Sequence, residues 1–129
     1  MRSALFFITC LVVAVLSLLP GEALPPVAFN VWDKAQHAGA FAALAVLGLW
    51  AFSHRPFAVV GALLLYGVFI EVAQGVTGWR HGDWYDWLAD AVGVGVALGW
   101  VVWRALFAAA AAPTGGPAKI QRKLRDEWH

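Results

Sequence analysis

The chain has 129 residues, enough for one domain, and is 61% hydrophobic and only 13% charged, with eight Trp and a mean hydropathy of +0.69. A soluble domain of this size has too little interior to hide that much apolar surface, which makes a lipid bilayer the expected solvent. The net charge of +1 gives no basis for a nucleic-acid partner, and the single cysteine, Cys10, excludes an intramolecular disulfide and a cysteine-based metal cage.

A bilayer core takes about 20 helical residues. The first apolar segment, residues 4–19, follows Arg2 and ends at Pro20-Gly21-Glu22-Ala23. A secretory signal peptide has the same outline. We expect the segment to be retained as a first membrane helix, because the remaining three then complete an even set. Cys10 lies mid-way along it and reads as a buried bystander.

A loop with Pro25, Pro26 and Trp32 leads to a second helix over residues 35–52, which His54-Arg55-Pro56 closes. The third helix is expected over 57–76, followed by the short loop Thr77-Gly78-Trp79-Arg80, and the fourth over 86–107. The expected fold class is therefore all-α, an integral membrane four-helix bundle spanning residues 1–110. Beyond it, Pro113-Thr114-Gly115-Gly116-Pro117 is a flexible linker to a charged, basic tail within residues 111–129, held near the membrane surface.

Seven basic residues (Arg2, Arg55, Arg104, Lys119, Arg122, Lys123, Arg125) fall on one side of such an arrangement and two (Lys34, Arg80) on the other. The positive-inside rule then places both termini in the cytoplasm. Glu22, Asp33, Glu71, Asp83, Asp86 and Asp90 gather at the outer side, at the level of tryptophans 32, 79, 84 and 87, as an interfacial aromatic belt would.

Ionisable residues within membrane segments are costly and face a bundle interior or a wet cavity. Asp83, Asp86 and Asp90 follow one another at spacings of three and four, on one face of a helix. Glu71 lies about five residues inside the third helix and Asp90 about four inside the fourth, so both sit roughly 6–8 Å deep. Gln74 shares the face of Glu71. Asp33, Lys34 and His37 cluster at the start of the second helix, and Arg80 lies in the loop before the fourth.

Each residue has a plainer reading. His37 could be an interfacial hydrogen-bonding group, Asp83 and Asp86 wet first-turn acids favoured by the helix dipole, Asp33 and Lys34 a solvated pair, and Arg80 a side chain reaching lipid phosphates. Glu71 and Asp90 are too deep for such readings, which makes them, with His37, the catalytic candidates. The full set expected to bind a ligand is Asp33, Lys34, His37, Glu71, Gln74, Arg80, Asp83, Asp86 and Asp90. The glycines Gly67, Gly93 and the Gly95-x-x-x-Gly99 pair are expected to let the helices of one chain pack closely.

The order Asp33-Lys34-x-x-His37, Glu71-x-x-Gln74 and Arg80-x-x-Asp83-x-x-Asp86-x-x-x-Asp90-x-x-Gly93 resembles the VanZ-like family of small bacterial membrane proteins. The resemblance runs from about residue 30 to residue 100. In that family the position of Asp90 is commonly Asn, and a Tyr often follows the histidine where this chain has Phe41. The resemblance implies a multi-helix membrane protein linked to teicoplanin resistance at the cell envelope, and supplies no mechanism.

Three functions follow from the residues. In the first, the polar site binds a phosphate-bearing lipid headgroup or a lipid-linked cell-wall precursor, with Lys34, Arg80 and His37 as donors. In the second, the site is a hydrolase or transferase built on a carboxylate-rich divalent cation site for Mg²⁺ or Mn²⁺. Five acids (Asp33, Glu71, Asp83, Asp86, Asp90) against two cations (Lys34, Arg80) give −3, which favours a cation or protons. In the third, the cluster only locks helix packing in an interaction scaffold. A conduit is disfavoured, because the third helix before Glu71 and the fourth from Asp90 to Arg104 carry no ionisable residue. Membrane lipids are partners in every case, and an oligomer is compatible with all three.

Overall fold

Pro56 opens one helix with the fixed backbone angle a first turn wants, and Gly78 closes it at φ +80°, a left-handed conformation that glycine adopts without a Cβ penalty. In the computed structural model, which describes residues 1–20, 33–80, 82–111, 125 and 127, this is α3, Pro56–Thr77. The others are α1 (Arg2–Leu18), α2 (Asp33–Ala51) and α4 (Trp84–Ala111), and no strand occurs among the described residues. The described residues are thus all-α. α4 begins at Trp84 rather than Asp86 and continues to Ala111 rather than Phe107. Expectations placed on Glu22, Trp32, the 113–117 linker and Lys119, Arg122 and Lys123 lie outside the described residues.

Contacts at the two ends give the helix directions. At one end the last turns of α1 and α3 meet the first turns of α2 and α4: Gln74 donates to the Ser17 carbonyl and Lys34 reaches Asp86. At the other end Phe6 of α1 packs against Gly48 of α2, which also touches Val59 of α3. Consecutive helices therefore alternate in direction, and α2 runs parallel to α4. These two share the most extensive helix contact in the structure.

The core is a column of Phe41, Leu44, Leu63, Ile70 and Val94, each at most 1% exposed. Apolar side chains also cover the outside: Leu65, Phe69, Val72, Val92 and Val96 are all more than 60% exposed. Asp90, by contrast, is fully buried and Asp86 and Gln74 nearly so. Apolar residues outside and acids inside reverse the usual distribution of a water-soluble domain. α3 and α4 are each long and apolar enough to cross a membrane, whereas α1 is apolar but shorter.

Close approach of backbones sets the helix spacing. A Cβ on Gly93 would overlap the carbonyl oxygen of Ala38 in α2, and one on Gly67 would lie 2.9 Å from Asp90 Oδ2 and 3.1 Å from Trp87. Gly95 and Gly99, expected to pack within the chain, have nothing within 4 Å of such a Cβ and face outward. They lie two and six positions beyond Gly93, on a different face of the helix.

Candidate functional site

The parallel pair α2 and α4 carries a ladder. Lys34 and His37 are three residues apart on α2, and Asp86 and Asp90 four apart on α4, so each pair forms a stripe along its helix. The lower rung joins Lys34 Nζ to Asp86 Oδ1 at 2.7 Å, and the same ammonium reaches Asp83 Oδ2 at 3.0 Å. The upper rung joins His37 Nδ1 to Asp90 Oδ1 at 3.0 Å, with Nε2 4.0 Å from Asp86 Oδ2.

Asp83 precedes α4, and its Oδ1 accepts the Tyr85 backbone N–H at 2.9 Å, satisfying a donor that the first turn leaves free. That bond, reinforced by Lys34, holds the Asp83 carboxyl below its ordinary value. The Asp83 backbone N–H in turn donates to Glu71 Oε2 at 2.7 Å, fastening the end of α3 to the start of α4.

Two carboxylate oxygens in this cluster, Glu71 Oε1 and Asp90 Oδ2, are buried and lack a hydrogen-bond partner among the described residues. An unpartnered buried acceptor of this kind costs about 1–3 kcal/mol, and more when charged. Ligand atoms of His37, Glu71 and Asp90 lie within 4.8 Å of one another, and those of Asp33, His37 and Asp86 do so as well. Gly67 leaves the room that the Asp90 carboxylate occupies.

Beside the ladder lies a cavity of about 430 Å³ walled by α1, α2 and α3. Its lining includes the apolar Val13, Leu16 and Phe41 and the polar Asp33, His37 and Arg80. His37 thus belongs to both the cavity wall and the buried acid cluster.

The nine expected ligands divide into three groups, with Asp33 apart from them. Lys34, Asp83 and Asp86 form a salt-bridged knot, and Asp86, rather than being a wet first-turn acid, is only 6% exposed. His37, Glu71 and Asp90 converge, whereas Asp33 stays exposed at the first residue of α2. Gln74 and Arg80 line the cavity and also cap α1, donating to the Ser17 carbonyl at 3.0 Å and the Leu19 carbonyl at 3.2 Å.

Trp79 adds a third bond, to the Leu18 carbonyl at 3.1 Å. Helix C-termini leave up to four carbonyls unsatisfied, and these three donors from α3 and its following loop meet that need. Sequence reasoning assigned no partner to α1. Trp87, expected in the interfacial belt, instead turns inward and donates from Nε1 to the Leu64 carbonyl at 3.0 Å. Trp79 and Trp84 remain largely exposed.

Compared with family models, curated proteins and solved structures, the chain matches none of them.

Proposed function

We propose that this is a multi-pass, VanZ-like membrane protein whose cavity opens outward and binds a phosphate-bearing lipid headgroup. All four helices cross the bilayer in this reading, with both chain ends in the cytoplasm of a bacterial cell. Two facts support that topology. The helices alternate in direction, and Arg2 and Arg55 stand at the end away from the acidic cluster.

The observation that carries the binding reading is the composition of the cavity wall. The lining joins Arg80 and His37, with Asp33, to the apolar Val13, Leu16 and Phe41, which suits an amphiphile with an anionic head. Of the three donors expected for phosphate, Lys34 is committed to Asp83 and Asp86. The guanidinium of Arg80 uses Nε on α1 and has further donors, so it is the principal phosphate contact. A link to teicoplanin tolerance follows the VanZ-like resemblance, by way of a lipid-linked wall precursor as the natural headgroup.

The test is binding of dihexanoyl phosphatidic acid, and of the matching phosphate-free diacylglycerol, to the detergent-solubilised full chain. Tight binding of the phosphate lipid alone is expected, weakened about tenfold by Arg80→Gln. Equal binding of both lipids, or no loss in a folded Arg80→Gln protein, contradicts the reading.

A further inference from the structure

We infer that His37, Glu71 and Asp90 form a site for one divalent transition-metal cation, of the Mn²⁺ or Zn²⁺ type, at the floor of the bundle's polar end. The site is defined by its own side chains and stands whether or not a headgroup fills the neighbouring cavity.

Three independent features converge. The ligand atoms come from three helices, α2, α3 and α4, and lie within 4.8 Å of one another. Ligands about 2.1 Å from a shared ion sit roughly 3.0–4.2 Å apart, so closure needs movements of only about 1 Å. Asp90 is 0% exposed and its Oδ2 has no partner, and Glu71 Oε1 is in the same state. An acceptor-only oxygen in such a place is satisfied by a cation.

Charge agrees with geometry. Lys34 is already engaged by Asp83 and Asp86, and no lysine or arginine contacts Glu71 or Asp90 among the described residues. Two ionised carboxylates (−1 −1) and a neutral imidazole (0) sum to −2, the complement of a divalent ion. One imidazole with two carboxylates suits Mn²⁺ or Zn²⁺ better than Ca²⁺, which takes about six to eight oxygen ligands.

Asp33, His37 and Asp86 form the competing triad, but Asp33 is exposed and Asp86 is bound to Lys34. The supports around the preferred triad are specific. Gly67 gives Asp90 its room, and the Asp83 backbone N–H orients Glu71 through Oε2, leaving Oε1 for the ion. Three protein ligands leave further coordination positions on the metal, next to the cavity that His37 also lines.

The experiment is a Mn²⁺ titration of the full chain in detergent after chelator treatment, followed by electron paramagnetic resonance, with Zn²⁺ and Mg²⁺ as competitors. One Mn²⁺ per chain is expected, displaced by Zn²⁺, with a hyperfine coupling from a single imidazole nitrogen. Glu71→Gln and Asp90→Asn are expected to weaken binding at least about tenfold, and Asp33→Asn to leave it unchanged. No Mn²⁺ or Zn²⁺ bound to the wild type overturns the proposal, as does binding without the nitrogen coupling or unchanged in folded Glu71→Gln and Asp90→Asn. The wild-type spectrum decides even where a variant does not fold. A wild type that binds phosphatidic acid but takes up neither Mn²⁺ nor Zn²⁺ removes the cation site and leaves the headgroup reading intact.

Discussion

Gly93→Ala is the substitution that most directly perturbs the frame of the site. The added Cβ would overlap the Ala38 carbonyl oxygen, and would stand 2.9 Å from the carbonyl carbon and 3.0 Å from the Ala42 nitrogen. All three atoms are α2 backbone, so no side chain can rotate away and the helices must separate. Carbon–oxygen contacts settle near about 3.3–3.6 Å, which requires a displacement on the order of 1 Å. The same displacement stretches His37–Asp90 from 3.0 Å and Lys34–Asp86 from 2.7 Å to the limit of hydrogen bonding or past it. Overpacking costs about 1–3 kcal/mol and an abandoned buried acceptor about 1–3 more, so the loss is roughly 2–6 kcal/mol. Better helix propensity returns only about 1 kcal/mol. Gly95→Ala and Gly99→Ala, with open space around them, serve as controls and are expected to be neutral or slightly stabilising. Denaturant titration in detergent, read by tryptophan fluorescence, measures all three. A Gly93→Ala protein as stable as Gly95→Ala refutes the close α2–α4 contact and the ladder built on it.

Asp90→Ala removes the partner of His37 and is expected to cost about 1–3 kcal/mol of stability in chelator, while Asp90→Asn retains an acceptor and most of that stability; equal losses in thermal unfolding would contradict this. Gln74→Ala leaves the Ser17 carbonyl without its donor and is expected to cost about 0.5–1.5 kcal/mol, with faster proteolysis of α1 as the second readout. Asp83 has a depressed carboxyl pKa, so its contribution is fully present above the ordinary value of 3.8 and disappears as pH falls through the lower folded value. Acid titration followed by exchange of the Tyr85 amide should show that loss, and Asp83→Asn should abolish the transition.

The helices were legible because apolar runs broken by Pro20, Pro56 and Gly78 leave little choice of segment. The convergence of His37, Glu71 and Asp90 was legible too, since depth along each helix follows from the rise per residue. The division of labour among the acids was not. Asp86 and Asp90 share a helical face in the sequence, and only the parallel register of α2 gives Lys34 to one and His37 to the other. Likewise, small residues mark where helices can approach but not which face is used, which is why Gly95-x-x-x-Gly99 misled while Gly93 did not. The caps on α1 from Gln74, Trp79 and Arg80 depend on long-range packing, although the unmet carbonyls of a helix end pose the question from sequence alone.

The central claim is that the polar end of this bundle opens to the outside of the cell and holds an amphiphile. Because Cys10 is the single cysteine, a Cys10→Ser, Ser17→Cys chain places one thiol on the cavity wall. Labelling it in intact cells with a membrane-impermeant thiol reagent tests both parts at once. The account predicts modification from outside, slowed at least about tenfold by dihexanoyl phosphatidic acid and unaffected by the phosphate-free diacylglycerol. Modification only after the cells are permeabilised would contradict it.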